Sequence, residues 1–294
     1  MKILVTGSNG QLGSQIIDII RSGRSELGNI PEEIAKGEVI GIDIQDLDLV
    51  NLEEVRKYFN KVKPDVVINC AAYTNVDACE SNIDLAFKVN AIAPRNVAMV
   101  CQEVGAKLIH VSTDYVFSGV GEIPLKEHDL PAPVSIYGKT KLAGESFVRE
   151  FSQKYFIVRT AWLYGYNGKN FVYTIMNAAK EKGYLTVVDD QRGNPTNAED
   201  LAHHLLKLAV TEQYGIYHCT GTGECSWFDF AKAIVKYAQI DCKIEDITSD
   251  KLVNRAAKRP AYSSLDNMML RCTVGDDMRD WKEALEMFIH KINK

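Results

Sequence analysis

Short apolar runs alternate with helical periods through the first 160 residues. The runs are "KILVT" (2–6), "EVIGIDI" (38–44), "DVVINCAA" (65–72), "AKLIHVST" (106–113) and "YFIVRTAWLYG" (155–165). Between them lie "SQIIDIIRSG" (14–23), "NLEEVRKYFNKV" (51–62), "LAFKVNAIAPRNVAMVCQEVG" (85–105) and "TKLAGESFVREFSQKY" (140–155), where apolar residues recur every three or four positions. Strands apolar on both faces and separated by helices predict a parallel sheet with helices on either side, a doubly wound α/β fold. Asn51 followed by Glu54 predicts a capping box at the start of the second helix. Beyond residue 160 the loops lengthen ("YGYNGKN", "DDQRGNPTNAED", "CTGTGECS") and helical patterns gather at 171–182, 198–210, 227–238 and 280–292. That mixture predicts a smaller C-terminal domain covering a ligand held by the first, with a soft boundary and some segments returning to the first domain.

Composition narrows the class. The chain has 294 residues, 46% of them apolar, enough for a large core. A net charge of −5 without a long basic run argues against nucleic acid as a partner. No apolar run is long enough to span a bilayer. The opening "MKILVTG" enters a strand at once and leaves no room for a signal peptide, so the expected location is cytoplasmic. Seven cysteines (Cys70, Cys79, Cys101, Cys219, Cys225, Cys242, Cys272) are scattered, odd in number and never spaced C-x-x-C. Neither a zinc site nor a disulfide framework is expected.

"TGSNGQLGSQI" follows the first strand and opens the first helix, with Gly7, Gly10 and Gly13 in G-x-x-G-x-x-G spacing. Glycines at such a junction let backbone N–H groups approach a pyrophosphate at the positive end of the helix. This context favours a Rossmann-like dinucleotide-binding domain over residues 1–160, with 161–294 mainly substrate-binding. Asp43, at the end of the second run, is the candidate for the adenosine ribose hydroxyls. It lies 30 residues past Gly13, more than the usual interval of about 20. The segment "SELGNIPEEIAKGE" reads as the insertion behind the excess, and Asp46 and Asp48 stand nearby as loop acids or helix caps.

Tyr137 and Lys141 in "VSIYGKTKLAGESFVRE" (134–150) fall four residues apart, on one face of a helix. An ammonium beside a phenol lowers its pKa toward neutrality and suits it to proton transfer. A half-buried tyrosine beside a solvated lysine is the plain alternative, and on this stretch alone it is the stronger reading.

In the order "TGSNGQLG", "INCAAYTNVDACE", "VSTDYVFSG", "IYGKTKLAGE", "RTAWLYG" and "DQRGNPT", the chain resembles the extended short-chain dehydrogenase/reductase family. Within it, the resemblance is to the dTDP-4-dehydrorhamnose reductases and runs from residue 1 to about residue 285. The resemblance implies that Tyr137 protonates a substrate carbonyl oxygen, that Lys141 lowers its pKa and holds the nicotinamide ribose, and that Thr113, but not Ser112, bonds the same oxygen. It also implies cofactor contacts at Gly10, Gln11 and Leu12 (pyrophosphate), at Asp48 and Leu49 (adenine), and at Ala71, Ala72, Tyr73 and Thr74, after the fourth sheet element. Asp114 and Trp162 match positions that contact the sugar nucleotide. Lys258 and Arg259, in "AAKRPAYSSL" (256–265), face the substrate diphosphate or form a solvated loop. His110, His203 and His204 receive no chemistry, and no metal is implied.

The implied cofactor is NADH or NADPH and the implied partner a small-molecule nucleotide sugar, with no nucleic acid or membrane and a homodimer left open. The implied reaction reduces the C4 ketone of dTDP-4-dehydro-6-deoxy-L-mannose to dTDP-L-rhamnose. Dehydratases of the superfamily place an Asp–Glu pair after the threonine; here Tyr115 stands where that glutamate would be, which disfavours elimination. Another NDP-sugar reductase or epimerase remains an alternative. So does a non-catalytic NAD(P)-binding regulatory subunit of the kind that serves methionine adenosyltransferase.

Overall fold

Six parallel strands form the central sheet: β1 (Lys2–Thr6), β2 (Glu38–Ile42), β3 (Val66–Asn69), β4 (Lys107–Thr113), β5 (Tyr155–Thr160) and, numbered in chain order, β7 (Gly215–His218). Their spatial order is β2-β1-β3-β4-β5-β7. These are elements of a computed structural model that describes residues 1–251 and 256–293. The long helices are α1 (Gln11–Ser22), α2 (Leu52–Val62), α3 (Ala93–Val104), α4 (Ile136–Phe151), α5 (Phe171–Lys182), α6 (Ala198–Ala209), α7 (Trp227–Tyr237) and α8 (Trp281–Ile292).

Alternation along β1 shows how the sheet is covered. Ile3 and Val5 join α1 and α6 through Ile16, Ile20, Leu201 and Leu205. Leu4 faces the other way, toward Val55 and Phe59 of α2, Val97 of α3 and Val148 of α4. A further core joins α5, α7 and α8 through Val172, Ile175, Phe230, Ile234, Leu285 and Phe288. β6 (Tyr184–Val188) and β8 (Lys243–Ile247) pair in parallel beside it. The chain therefore leaves the sheet after β5, returns for α6 and β7, and leaves again.

The sheet reverses its order between β1 and β3, and a doubly wound sheet opens its ligand crevice at such a switch point. Two chain segments end there: the glycine turn after β1 and residues 70–74 after β3.

Several elements differ from the pattern. The run 155–165 is one strand only to Thr160; Trp162 adopts φ 47°, and Leu163–Tyr164 pairs instead with Thr196–Asn197. The period at 85–105 is a short helix (Ile83–Phe87), a π-turn (Lys88–Ile92) and α3, with Pro94 in the first turn of α3. α4 begins at Ile136 and not at 140, because the Ser135 hydroxyl accepts from Gly138 N and caps it. At α2, Asn51 caps through Glu54 N, but the Glu54 carboxylate accepts from the Asn51 side chain, so the reciprocal half of a capping box is missing. The full box occurs at Ser226 and Asp229. The segment 24–35 holds two short paired strands and one turn of helix.

Candidate active site

The three glycines of the turn pack on one another and on β3. Gly7 has φ 64°, and a Cβ there would stand 2.8 Å from Ala71 N. A Cβ on Gly13 would overlap the Gly7 carbonyl oxygen, to which Gly10 N donates at 3.0 Å. Gly10 then caps α1 without a side chain, leaving the first N–H groups of the helix, at Gln11 and Leu12, to the crevice. The glycines thus let the turn pack tightly on its own backbone and on residues 70–71, with the open N-terminus of the helix beside it, the arrangement a diphosphate site uses.

Two cavities meet at this turn and share Gly7, Gly10, Cys70 and Ala72. The first, about 350 Å³, is walled by Asp43, Asp48, Leu49, Ala71 and Tyr73. Asp43 directly follows β2, with one carboxylate oxygen accepting from Asn9 N at 3.0 Å and the other from Ile44 N at 2.8 Å, which ties it to the glycine turn. Asp46 is a loop acid that accepts from Asp43 N. Residues 71–74 follow the third long strand of the sheet, not a fourth: between β2 and α2 the chain forms turns and the Asn51 cap and adds no strand. The buried Asn90 side chain, on the π-turn, holds both the N–H and the carbonyl of Tyr73.

The second cavity, about 540 Å³, collects Gln11, Leu12, Thr74, Thr113, Asp114, Tyr137, Lys141 and Trp162. The Thr113 hydroxyl lies within hydrogen-bonding reach of the Tyr137 phenol and donates to Asp114 Oδ1 at 2.9 Å. Burial pushes the Asp114 carboxyl up to about 6, against the Ser263 and Thr113 hydroxyls that hold it down. Tyr115 packs edge-on against Tyr137, ring centroids 5.4 Å apart.

One electrostatic expectation is corrected. The phenol of Tyr137 is pushed above its ordinary value, not toward neutrality: burial outweighs the Thr113 contact, and the Asp114 carboxylate adds to the rise. Lys141 is itself buried, donates to the Val111 carbonyl at 2.7 Å and is lowered to about 8 by burial. The plain alternative of a solvated lysine fails on the same observation.

Trp162 stacks on Trp227 at 3.6 Å, and Gly193 of "DQRGNPT" leaves room for its indole. Trp227 and Lys169 also line this cavity; no motif marks either, since each enters through a long loop or a helix start far along the chain from the glycine turn. Arg259 does not line it. Its guanidinium pairs with Asp77 at 2.7 Å, in the short helix Val76–Ser81, while Lys258 is exposed. Of the histidines, His110 is buried against Asn69, His203 meets the Ser25 hydroxyl, and His204 meets the Asp200 carbonyl. No helix among the described residues is long and apolar enough to cross a membrane.

A switch-point crevice, a glycine turn that opens a helix N-terminus to it, and Thr113, Tyr137 and a buried Lys141 in one cavity suit the class of oxidoreductases that bind a dinucleotide. The family model described as "RmlD substrate binding domain" matches residues 1–294, and the chain belongs to that family. It is 37% identical to the spore coat polysaccharide biosynthesis protein SpsK of Bacillus subtilis, over 99% of this chain and 97% of that one. Among solved structures it is similar to a dTDP-4-dehydrorhamnose reductase of Clostridium acetobutylicum, with 48% identity, TM-score 0.94 and all of both chains covered. The enzyme of the same name from Bacillus anthracis, solved in complex with NADP, is 42% identical, with TM-score 0.91 and 99% of each chain covered.

Proposed function

We propose that the protein reduces the C4 ketone of dTDP-4-dehydro-6-deoxy-L-mannose to dTDP-L-rhamnose, using NADH or NADPH. The observation that carries this reading is the junction of the two cavities: a groove with Asp43 at one end and Thr113, Tyr137 and Lys141 at the other. The reductases named above, one of them in complex with NADP, support it. Residues 1–160, rejoined by α6 and β7, are the dinucleotide-binding part; the rest of 161–294 is mainly the substrate part.

Gly7, Gly10 and Gly13 let the turn close tightly beside the diphosphate site, and Gln11 and Leu12 would offer the diphosphate their N–H groups. Asp48, Leu49, Ala71 and Tyr73 would hold the adenosine half, Ala72 and Thr74 would lead toward the nicotinamide half, and Lys141 would take its ribose hydroxyls. A nicotinamide held there would supply the hydride that C4 takes. Tyr137 gives the carbonyl oxygen its proton, and the Thr113 hydroxyl, turning from Asp114 Oδ1, donates to that same oxygen. A phenol raised by burial keeps its proton at neutral pH, the form an acid needs for reduction. Asp114 and Trp162 face the sugar nucleotide, and Lys169, in place of Arg259, offers its charge to the diphosphate.

Oxidation of NADH or NADPH that depends on the dTDP-4-keto sugar tests the reading; tight cofactor binding with no turnover on any NDP-4-ketosugar would contradict it. The same assay tests the ribose site. Asp43 repels a 2′-phosphate, so the wild type should prefer NADH while tolerating NADPH. Asp43→Ala is expected to lose that preference, moving the ratio of kcat/KM for the two cofactors by roughly tenfold toward NADPH. An unchanged ratio would assign the ribose to another residue.

A further inference from the structure

The helical stripe that carries Tyr137 and Lys141 continues for one more turn. Tyr137, Lys141 and Glu145 stand at i, i+4 and i+8 of α4, and each meets the end of β4. Tyr137 reaches Thr113, Lys141 donates to the Val111 carbonyl, and the Ser112 hydroxyl donates to Glu145 Oε1 at 2.6 Å. Three consecutive strand residues are thereby fastened to three successive turns of one helix.

Glu145 is buried, with 2% of its side chain exposed, as is its partner Arg159. Arg159 is the register partner of Ser112 across β4 and β5. Its Nε and Nη2 donate to the two carboxylate oxygens at 2.9 and 2.7 Å, and its guanidinium lies 5.1 Å from the centre of the Phe117 ring.

Besides burial, Glu145 and the Cys70 thiol act on the charge of Lys141. On its own helix, Tyr137 is a raised phenol. From β4, burial and Lys141 itself hold His110 well below its ordinary value, so it is neutral. Beyond β3, burial pushes the Cys70 thiol up to about 12. Behind Glu145, β5 contributes the cation Arg159, and β7 contributes His218, lowered to about 3 by burial and Arg159. The other carboxylate at the strand end, Asp114, acts on Tyr137. Glu145 is the anion that raises Lys141 against its burial.

We propose that Glu145 is a positioning residue of the site, holding Lys141 in its charged form and, through Ser112, fixing the strand end that presents Thr113. Its kinetic consequence rests on the reductase reading; its effect on Lys141 does not.

Two variants of the full chain test it. Glu145→Gln keeps the shape and a partner for Ser112 but leaves two buried cations without an anion. Glu145→Gln with Arg159→Met removes the second cation as well. In protein carrying [ε-¹³C]lysine, with the Lys141 resonance assigned by Lys141→Met, the wild-type midpoint is expected near 8. In both variants it should fall to about 7 or lower. With the dTDP-4-keto sugar, kcat at about pH 8 should drop roughly fivefold or more relative to about pH 6, with little change in KM. A glutamate that merely neutralised Arg159 would let the double variant recover the wild-type midpoint and profile, which would overturn the proposal. If the single variant does not fold, the double variant decides; failure of both to fold makes Glu145 a residue of the fold and also overturns it. A wild type without turnover would remove the reductase reading, and the NMR midpoint would still decide the role of Glu145.

Discussion

Tyr137→Phe should lower kcat by roughly 10²–10⁴-fold, the range for losing a general acid, with cofactor affinity almost unchanged. The phenol shares one cavity with Thr113 and Lys141, and the other acid there, Asp114, is already engaged by the Thr113 hydroxyl. Deleting one oxygen leaves the ring in its edge-on contact with Tyr115, so the fold should survive. Single-turnover reduction at saturating cofactor, compared with a direct binding titration of NADH, separates the proton transfer from binding. Near wild-type turnover in a folded Tyr137→Phe protein would remove this residue from the chemistry.

The second large effect concerns the distal part of the substrate. A free 4-keto-6-deoxyhexose should show a kcat/KM lower by roughly 10³-fold or more, with kcat itself reduced, because binding energy from the nucleoside diphosphate is what orients the ketone. The second cavity extends past Thr113, Tyr137 and Lys141 to Lys169 and the stacked pair Trp162 and Trp227, far more wall than a lone hexose can touch. Steady-state kinetics of the free sugar beside its dTDP conjugate measure the difference. Equal kcat values would mean that the distal wall contributes nothing to orientation.

Where local sequence decided the structure, it could be read. Ile3 and Val5 against Leu4, with helical periods between the strands, announce a covered parallel sheet, and Gly7, Gly10 and Gly13 announce the turn where cofactor contacts were expected. The misreadings arise where a distant residue decides. "TAWLYG" is apolar enough to continue β5, but Trp162 turns into φ 47° where Trp227, 65 positions along the chain, stacks on it. "KRP" carries a guanidinium fit for a diphosphate, but Asp77 takes it from 182 residues away. The i, i+4 spacing of Tyr137 and Lys141 describes only their helix, whereas the partner of the ammonium is a carbonyl on β4 and the lysine is buried beside a half-buried phenol. Glu145 lay in the quoted "KLAGE" without a role because its partners, Ser112 and Arg159, belong to two other elements.

The most direct test of the central claim is the identity of the product. Purified protein should be supplied with the dTDP-4-keto sugar, generated with the preceding epimerase, together with NADH or NADPH, and the product assigned by NMR. Stoichiometric cofactor oxidation yielding dTDP-L-rhamnose is the predicted result. A product of opposite C4 configuration would contradict the assigned substrate geometry, and no product from any NDP-4-ketosugar would contradict the assignment of this site as a reductase.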